Sequence, residues 1–354
     1  MQTNADDRRI SRRLILCGGV SAAAVACSPL PSRYSSQAPE ILVNPLVRQR
    51  ADAQISRIDG LFYMTASVPE YDRVVLRRAS TVAGLASAQE HVLWRRPESG
   101  RMAGHIWAPE IHRFDGKWHI YVAAGDSDDK FRIRTYVLQS SAGDPMDASH
   151  WSVLGRFETP WDTFTLDSTL FVHKGVRYAC WAQHEPGIDT NSNIYLAPLA
   201  TPTTLAAAPA RLTVPTLEWE IQGFKVNEGP AILARNGKLF LTYSASATDA
   251  RYCLGMLTAD ADADIMNPTS WTKSPVPVFK TSVENRIFGP GHNSFVVDER
   301  GHDLLVYHAR DYEQITGDPL YDPNRHTRVQ PIHYRADGTP DFGVPVRNGP
   351  LTLD

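Results

Sequence analysis

Three carboxylic acids and one imidazole fall at matching places in a sequence that repeats itself. Asp52, Asp167 and Glu228 stand eight, eight and nine residues ahead of Gly60, Gly175 and Gly237, and His292 stands nine ahead of Gly301. The corresponding place before Gly116 is taken by Ala108, with Glu110 close by. Gathering like charges is costly, because neighbouring carboxylates repel and burial raises their pKa values. Where three acids are nevertheless brought together, a task is implied, and two carboxyls on opposite walls of a pocket can cleave a glycosidic bond, one as general acid and one as base or nucleophile.

The elements that would position them are strands. Gly60, Gly116, Gly175, Gly237 and Gly301 recur at spacings of 56, 59, 62 and 64, each between a short apolar run and an aromatic-rich one. Asp59-Gly60, Asp115-Gly116 and Asn236-Gly237 suit two-residue hairpins, whose central positions both need φ > 0. A third strand is expected in each unit, as at Ile133–Val137, Asn193–Leu196 and Cys253–Leu257, and some units add an outer strand near Trp94, Trp151 or Trp271. Five units of antiparallel strands predict an all-β, five-bladed β-propeller. No 10–15-residue helical period alternates with the strands, which argues against an α/β fold.

In such a ring the first strand of each blade lines the central channel, and the strand starts meet on one face. Asp167 and Glu228 belong to neighbouring blades, whereas Asp52 is two blades from either. A carboxyl flanked by a like charge keeps its proton and can act as general acid, while a lone carboxylate opposite stays ionised and activates water. This order assigns Glu228 as acid, Asp52 as base and Asp167 as the residue that raises and orients the acid. A channel wide enough to seat a water between base and sugar predicts inversion.

Composition agrees with a folded enzyme. The 354 residues are 42% hydrophobic and 21% charged, with a net charge of −3 that becomes −5 without the first 26 residues, so nucleic acid is not an expected partner. Length alone suggests two domains at about 150 residues each, but the repeat favours one ring of about 61 residues per blade. Cys180 and Cys253 lie in apolar, aromatic runs and read as buried free thiols. His105, Glu110 and His112 suggest a metal site, but strand alternation is expected to split them between faces, so no metal is assigned.

The N-terminus reads as an address. Ser11-Arg12-Arg13-Leu14 leads into a short apolar stretch ending Ala24-Val25-Ala26-Cys27, which resembles a twin-arginine export signal (1–26), with Cys27 as a possible lipid-bearing residue of a lipoprotein. Residues 27–44 are then a linker and 45–354 a single catalytic propeller. Export to the periplasm or cell surface is expected, with membrane contact only through lipid on Cys27.

From about residue 45 to the end the chain resembles glycoside hydrolase family 43. The similarity rests on Arg50-Ala51-Asp52-Ala53, Trp107-Ala108-Pro109-Glu110, Leu166-Asp167-Ser168-Thr169, Asn227-Glu228-Gly229-Pro230 and Gly289-Pro290-Gly291-His292-Asn293-Ser294. The stretch Asn193–Leu199 and the closing Tyr307–Arg310 and Asp322–Arg328 are most similar to the exo-acting α-1,5-L-arabinofuranosidases of that family. The resemblance implies an inverting hydrolase of arabinan or arabino-oligosaccharides that requires no cofactor. It also implies the same acid, base and modulator, a wall for the sugar at Trp107, and a channel imidazole at His292 that can hold a water or ion. Arg328 matches an Arg that pairs with a catalytic carboxylate. Ala53 departs from the Pro many members place after the base. Other activities of the family, β-xylosidase or endo-arabinanase, and a glycan-binding propeller without catalysis are the competing readings.

Overall fold

The computed structural model describes residues 41–353. The export segment at 1–26, Cys17, Cys27 and the expected linker as far as residue 40 lie outside the described residues. From Leu42 onward the chain is built of strands and five short 3-10 turns.

Five antiparallel sheets follow one another along the sequence. Blade one comprises Ala51–Ile58, Leu61–Ser67, Arg73–Ala79 and His91–Arg95, and blade two Ile106–Phe114, Lys117–Ala124, Arg134–Ser140 and Ser152–Arg156. Blade three is Thr165–His173, Val176–Gln183 and Asn193–Thr201, with Thr204–Leu205 and Ala210–Thr213 both pairing with its third strand. Blade four is Asn227–Arg235, Lys238–Ala245, Cys253–Asp260 and Thr272–Lys273. Blade five has three strands of its own, Phe288–Val297, Asp303–Arg310 and His326–Pro331.

The fifth blade borrows its outer edge from the start of the chain. Val47 bridges Thr327, Leu46 N–H donates to Thr327 O at 2.8 Å, and the Asn44 side chain both accepts from Val329 N–H and donates to Val329 O. Val43–Asn44 also pairs with Gly349–Pro350. Leu42 and Asn44 are buried, so the propeller begins by residue 42, ahead of the boundary at 45 that the sequence suggested.

The turns follow the glycine pattern in four blades. Asp59-Gly60, Asp115-Gly116, Lys174-Gly175 and Asn236-Gly237 all have φ > 0 at both positions and join strands in two-residue hairpins. The fifth hairpin is longer: Val297 pairs with Asp303, and the buried Asp298 carboxylate gathers Arg300 N–H, His302 N–H and the His302 ring.

Trp94 lies on an outer strand as expected. Trp151 and Trp271 instead stand one residue before theirs, each donating its indole N–H six residues back, to Pro145 O and Ile265 O.

Apolar side chains fill the gaps between blades, as between one and two around Leu76, Ile106 and Ile120, and between five and one around Ile55, Phe62 and Val306. Each sheet is thus covered on both faces. The inner strands leave unpaired backbone groups along the channel, which would be costly if unsatisfied. Side chains of the adjacent blade supply the partners: Gln54 Oε1 accepts from Ile111 N–H at 2.7 Å, and Ser294 Oγ accepts from Ile55 N–H and donates to Ala53 O.

Candidate active site

Each inner strand carries a β-bulge near its start, where two residues oppose one on the next strand. A bulge re-aims the side chain at that point and bends the strand. The aligned bulge residues with φ > 0 are Asp52 (55°), Ala108 (43°), Asp167 (55°), Gly229 (55°) and His292 (45°), and blade five has a second bulge at Gly289 (60°). Four of them are eight residues before the turn glycine, and His292 is nine before because its hairpin is longer. In blade four the equivalent position is therefore Gly229, and Glu228 sits one residue ahead of it.

Neighbouring side chains receive the N–H at three of these bulges. Ala108 N–H donates to Ser67 Oγ at 2.8 Å and His292 N–H to Ser244 Oγ at 2.6 Å, while Asp52 N lies 3.2 Å from His308 Nδ1. Gly229 N–H donates to Asp167 Oδ2 at 3.0 Å. Asp167 thereby holds the peptide next to Glu228. A Cβ on Gly229 would come 3.1 Å from His292 Cγ, so this glycine both allows the backbone turn and leaves room for the imidazole.

The electrostatics separate the three acids. Burial alone would raise Asp52, but Arg325, His292 and His308 outweigh it and hold the carboxyl well below its ordinary range. The contacts are direct: Arg325 Nη1 at 3.3 Å, His308 Nδ1 at 3.1 Å and His292 Nδ1 at 3.5 Å from Asp52 Oδ1. Glu228 is raised, chiefly by burial and further by Asp52, against the pull of a hydrogen bond from Tyr252 at 2.7 Å. Burial also raises Asp167, to about 7, with Glu228 and Asp52 adding to it. For both carboxyls burial outweighs the repulsion that the ring order emphasised. An ionised carboxylate facing a pair that retains a proton is what acid–base cleavage requires.

His292 is raised by Asp167, Asp52 and Glu228 although burial lowers it, and its Nδ1 is 3.8 Å from Asp167 Oδ2. The carboxylates around it thus favour its charged form. Among the described residues no three His, Cys, Asp or Glu side chains are placed to hold a metal. Glu110 and His112 share a face, with Nε2 and Oε2 3.3 Å apart, contrary to the expected split, since residues two apart on a strand point the same way. His105 is elsewhere, stacked on Trp107 at 4.8 Å.

Trp107 is near the base through Tyr71: the two rings are 5.9 Å apart, and Arg325 Nη2 donates to the Tyr71 hydroxyl at 2.7 Å. The Trp107 indole N–H is buried without a partner. Arg328 does not pair with a catalytic acid. Its guanidinium reaches Asp311 and Asn348, and Arg325, three residues earlier, takes the place facing Asp52. Arg325 precedes the third strand of blade five and lies at its catalytic end, whereas Arg328 is already inside that strand, opposite Tyr307. Sequence spacing also missed His308, Tyr71 and Tyr252. Strand direction holds the signal for them: second strands end, and third strands begin, on the face where inner strands start.

The profile of glycosyl hydrolases family 43 matches residues 42–340. The chain belongs to this family. Its family 43 relatives include the "Extracellular exo-alpha-(1->5)-L-arabinofuranosidase" of Streptomyces avermitilis, 52% identical over 346 residues that cover 97% of this chain and 72% of that one. The protein of the same name from Streptomyces chartreusis is 52% identical over 311 residues, 87% and 94% of the two chains. Among solved structures, the α-L-arabinofuranosidase from Lactobacillus brevis superposes with a TM-score of 0.84 at 52% identity over 87% of this chain and 98% of that chain. A thermostable family 43 glycoside hydrolase shares the fold at 20% identity, with a TM-score of 0.70 over 88% and 100%. The propeller is that of a family 43 glycoside hydrolase.

Proposed function

We propose that this protein is an inverting, exo-acting α-L-arabinofuranosidase that removes terminal arabinofuranose from α-1,5-linked arabinan or arabino-oligosaccharides. The observation that carries the mechanism is the opposite treatment of two carboxyls: Arg325, His292 and His308 hold Asp52 well below its ordinary range, while burial pushes Glu228 toward its protonated form. Glu228 gives its proton to the glycosidic oxygen as the bond to the anomeric carbon breaks. Asp52 takes a proton from the water that attacks the opposite face, so one water is consumed and the configuration inverts. Asp167 orients the acid through Gly229, His292 balances the charge, and Trp107 and Tyr71 form an aromatic wall for the sugar. Two carboxyls and water complete the reaction without a cofactor.

The substrate assignment is supported by the arabinofuranosidase relatives at 52% identity. Purified protein on linear arabino-oligosaccharides should release arabinose alone, and Asp52→Ala and Glu228→Ala should abolish release. A ladder of shorter oligomers would instead indicate endo action, and preference for xylosides a β-xylosidase. Relatives named extracellular support export, and we propose the twin-arginine route, with lipid on Cys27. Arg12→Lys with Arg13→Lys should retain the protein in the cytoplasm, and Cys27→Ser should move it from membrane to soluble fraction.

A further inference from the structure

The acid carries a partner that a two-carboxyl scheme does not require. The Tyr252 hydroxyl donates to Glu228 Oε1 at 2.7 Å. Tyr252 immediately precedes the third strand of blade four, so it stands on the same face and in the same sheet as Glu228. Its ring is 1% exposed and lies parallel to His308, with centroids 5.7 Å apart and planes inclined by 5°. Tyr252 therefore spans the acid and the imidazole that touches the base.

The surroundings are shaped to this ring. A Cβ on Gly291 would come 2.3 Å from Tyr252 Cδ1 and Cε1. Gly291 does not have the left-handed φ of its neighbours Gly289 and His292, so space for Tyr252, rather than backbone freedom, requires a glycine there. Tyr252 N–H donates to Asp249 O at 3.1 Å and fixes the other end of the residue. A phenylalanine would fill the slot as well, and the hydroxyl is the part that reaches the acid.

We infer that Tyr252 is a positioning residue for the general acid: its hydroxyl occupies Glu228 Oε1 and leaves Oε2 to carry the proton to the leaving oxygen. This rests on Glu228 being the acid. As the glycosidic bond breaks, the proton on Oε2 moves to the departing oxygen and negative charge spreads over both carboxylate oxygens. Tyr252 keeps its own proton throughout, since burial and Glu228 push the phenol well above its ordinary value. A hydrogen bond to an ionised acceptor is stronger than one to a neutral acceptor, so this contact strengthens as the proton leaves, and it favours the transition state over the ground state.

The charged and titratable groups facing Glu228 are Tyr252, His292, Asp52, Arg325 and Asp167. Those facing Tyr252 are Glu228, Asp167, Arg325 and the stacked His308, with the Ser244 hydroxyl beside them. Of the groups facing Glu228, Tyr252 gives the largest pull toward the ionised form.

The test is Tyr252→Phe, assayed on arabino-oligosaccharides and on 4-nitrophenyl arabinofuranoside, whose leaving group needs little protonation. Removing a hydrogen bond to a charged group should lower kcat on oligosaccharides about ten- to a hundredfold, with a much smaller fall on the aryl substrate. The alkaline limb of kcat/KM should move to higher pH, because the acid loses the bond that favours its ionised form. Equal losses on both substrates with an unmoved alkaline limb would overturn the inference and leave Tyr252 as packing. Glu228→Gln is the control: if it too loses activity equally on both substrates, Glu228 is not the acid, whatever Tyr252→Phe does. If Tyr252→Phe does not fold by circular dichroism, Gly291→Ala decides. It retains the hydroxyl but crowds the ring, and an upward-shifted limb supports the inference while an unmoved limb contradicts it.

Discussion

Arg325 reaches Asp52 with Nη1 at 3.3 Å and the Tyr71 hydroxyl with Nη2 at 2.7 Å, and both ends of the ion pair are more than nine-tenths buried. A planar fork that serves two partners is not replaced by an ammonium point charge. Arg325→Lys should therefore let the Asp52 pKa rise and move the acid limb of kcat/KM to higher pH, with a fall in kcat/KM of about tenfold. Arg328→Lys should leave that limb in place, because Arg328 faces Asp311 and Asn348. Rate profiles of the two variants decide between them.

The pH dependence of the unmodified enzyme follows from the same pairs. Asp52 must be ionised, and its depressed pKa places the acid limb below the ordinary carboxylate range. Glu228 must keep a proton, and its raised pKa places the alkaline limb above that range. A broad plateau across mildly acidic pH is expected in kcat/KM, which reports the free enzyme.

Gly229→Ala tests the backbone device under the acid. The new Cβ would stand 3.1 Å from His292 Cγ, at a residue with φ of 55°. Left-handed backbone costs an L-residue about 1–2 kcal/mol, so thermal unfolding should occur at lower temperature. Activity should fall further than stability, since the peptide that Asp167 holds would shift.

Gln54 tests the ring rather than the chemistry. Its amide oxygen is the partner of Ile111 N–H, and leaving a buried donor unsatisfied costs about 1–3 kcal/mol. Gln54→Leu should lower the melting temperature measurably, while product identity on arabino-oligosaccharides stays the same.

The fivefold plan was legible in the sequence because the turn glycines and strand starts recur at nearly constant intervals. That regularity led directly to Asp52, Asp167 and His292, whose bulges are equivalent positions in the ring. Glu228 is the exception: its nine-residue offset marks that Gly229 occupies the equivalent bulge. Tyr252 and Arg325 were not legible from spacing, because they reach the site from just ahead of third strands, 24 residues beyond Glu228 and 273 beyond Asp52. Arg328 drew attention through a local motif, yet side-chain direction along a strand decided which of the two arginines faces the base. Residues 42–44 were read as linker because their partners are at the other end of the chain, at Val329 and Gly349–Pro350.

In the proposed mechanism Asp52 activates a water on the face opposite the bond that Glu228 protonates. Proton NMR of the first product, recorded before the released sugar mutarotates, reads this stereochemistry. α-1,5-Linked arabino-oligosaccharides should give β-L-arabinofuranose first; initial α-L-arabinofuranose would show retention and rule the mechanism out.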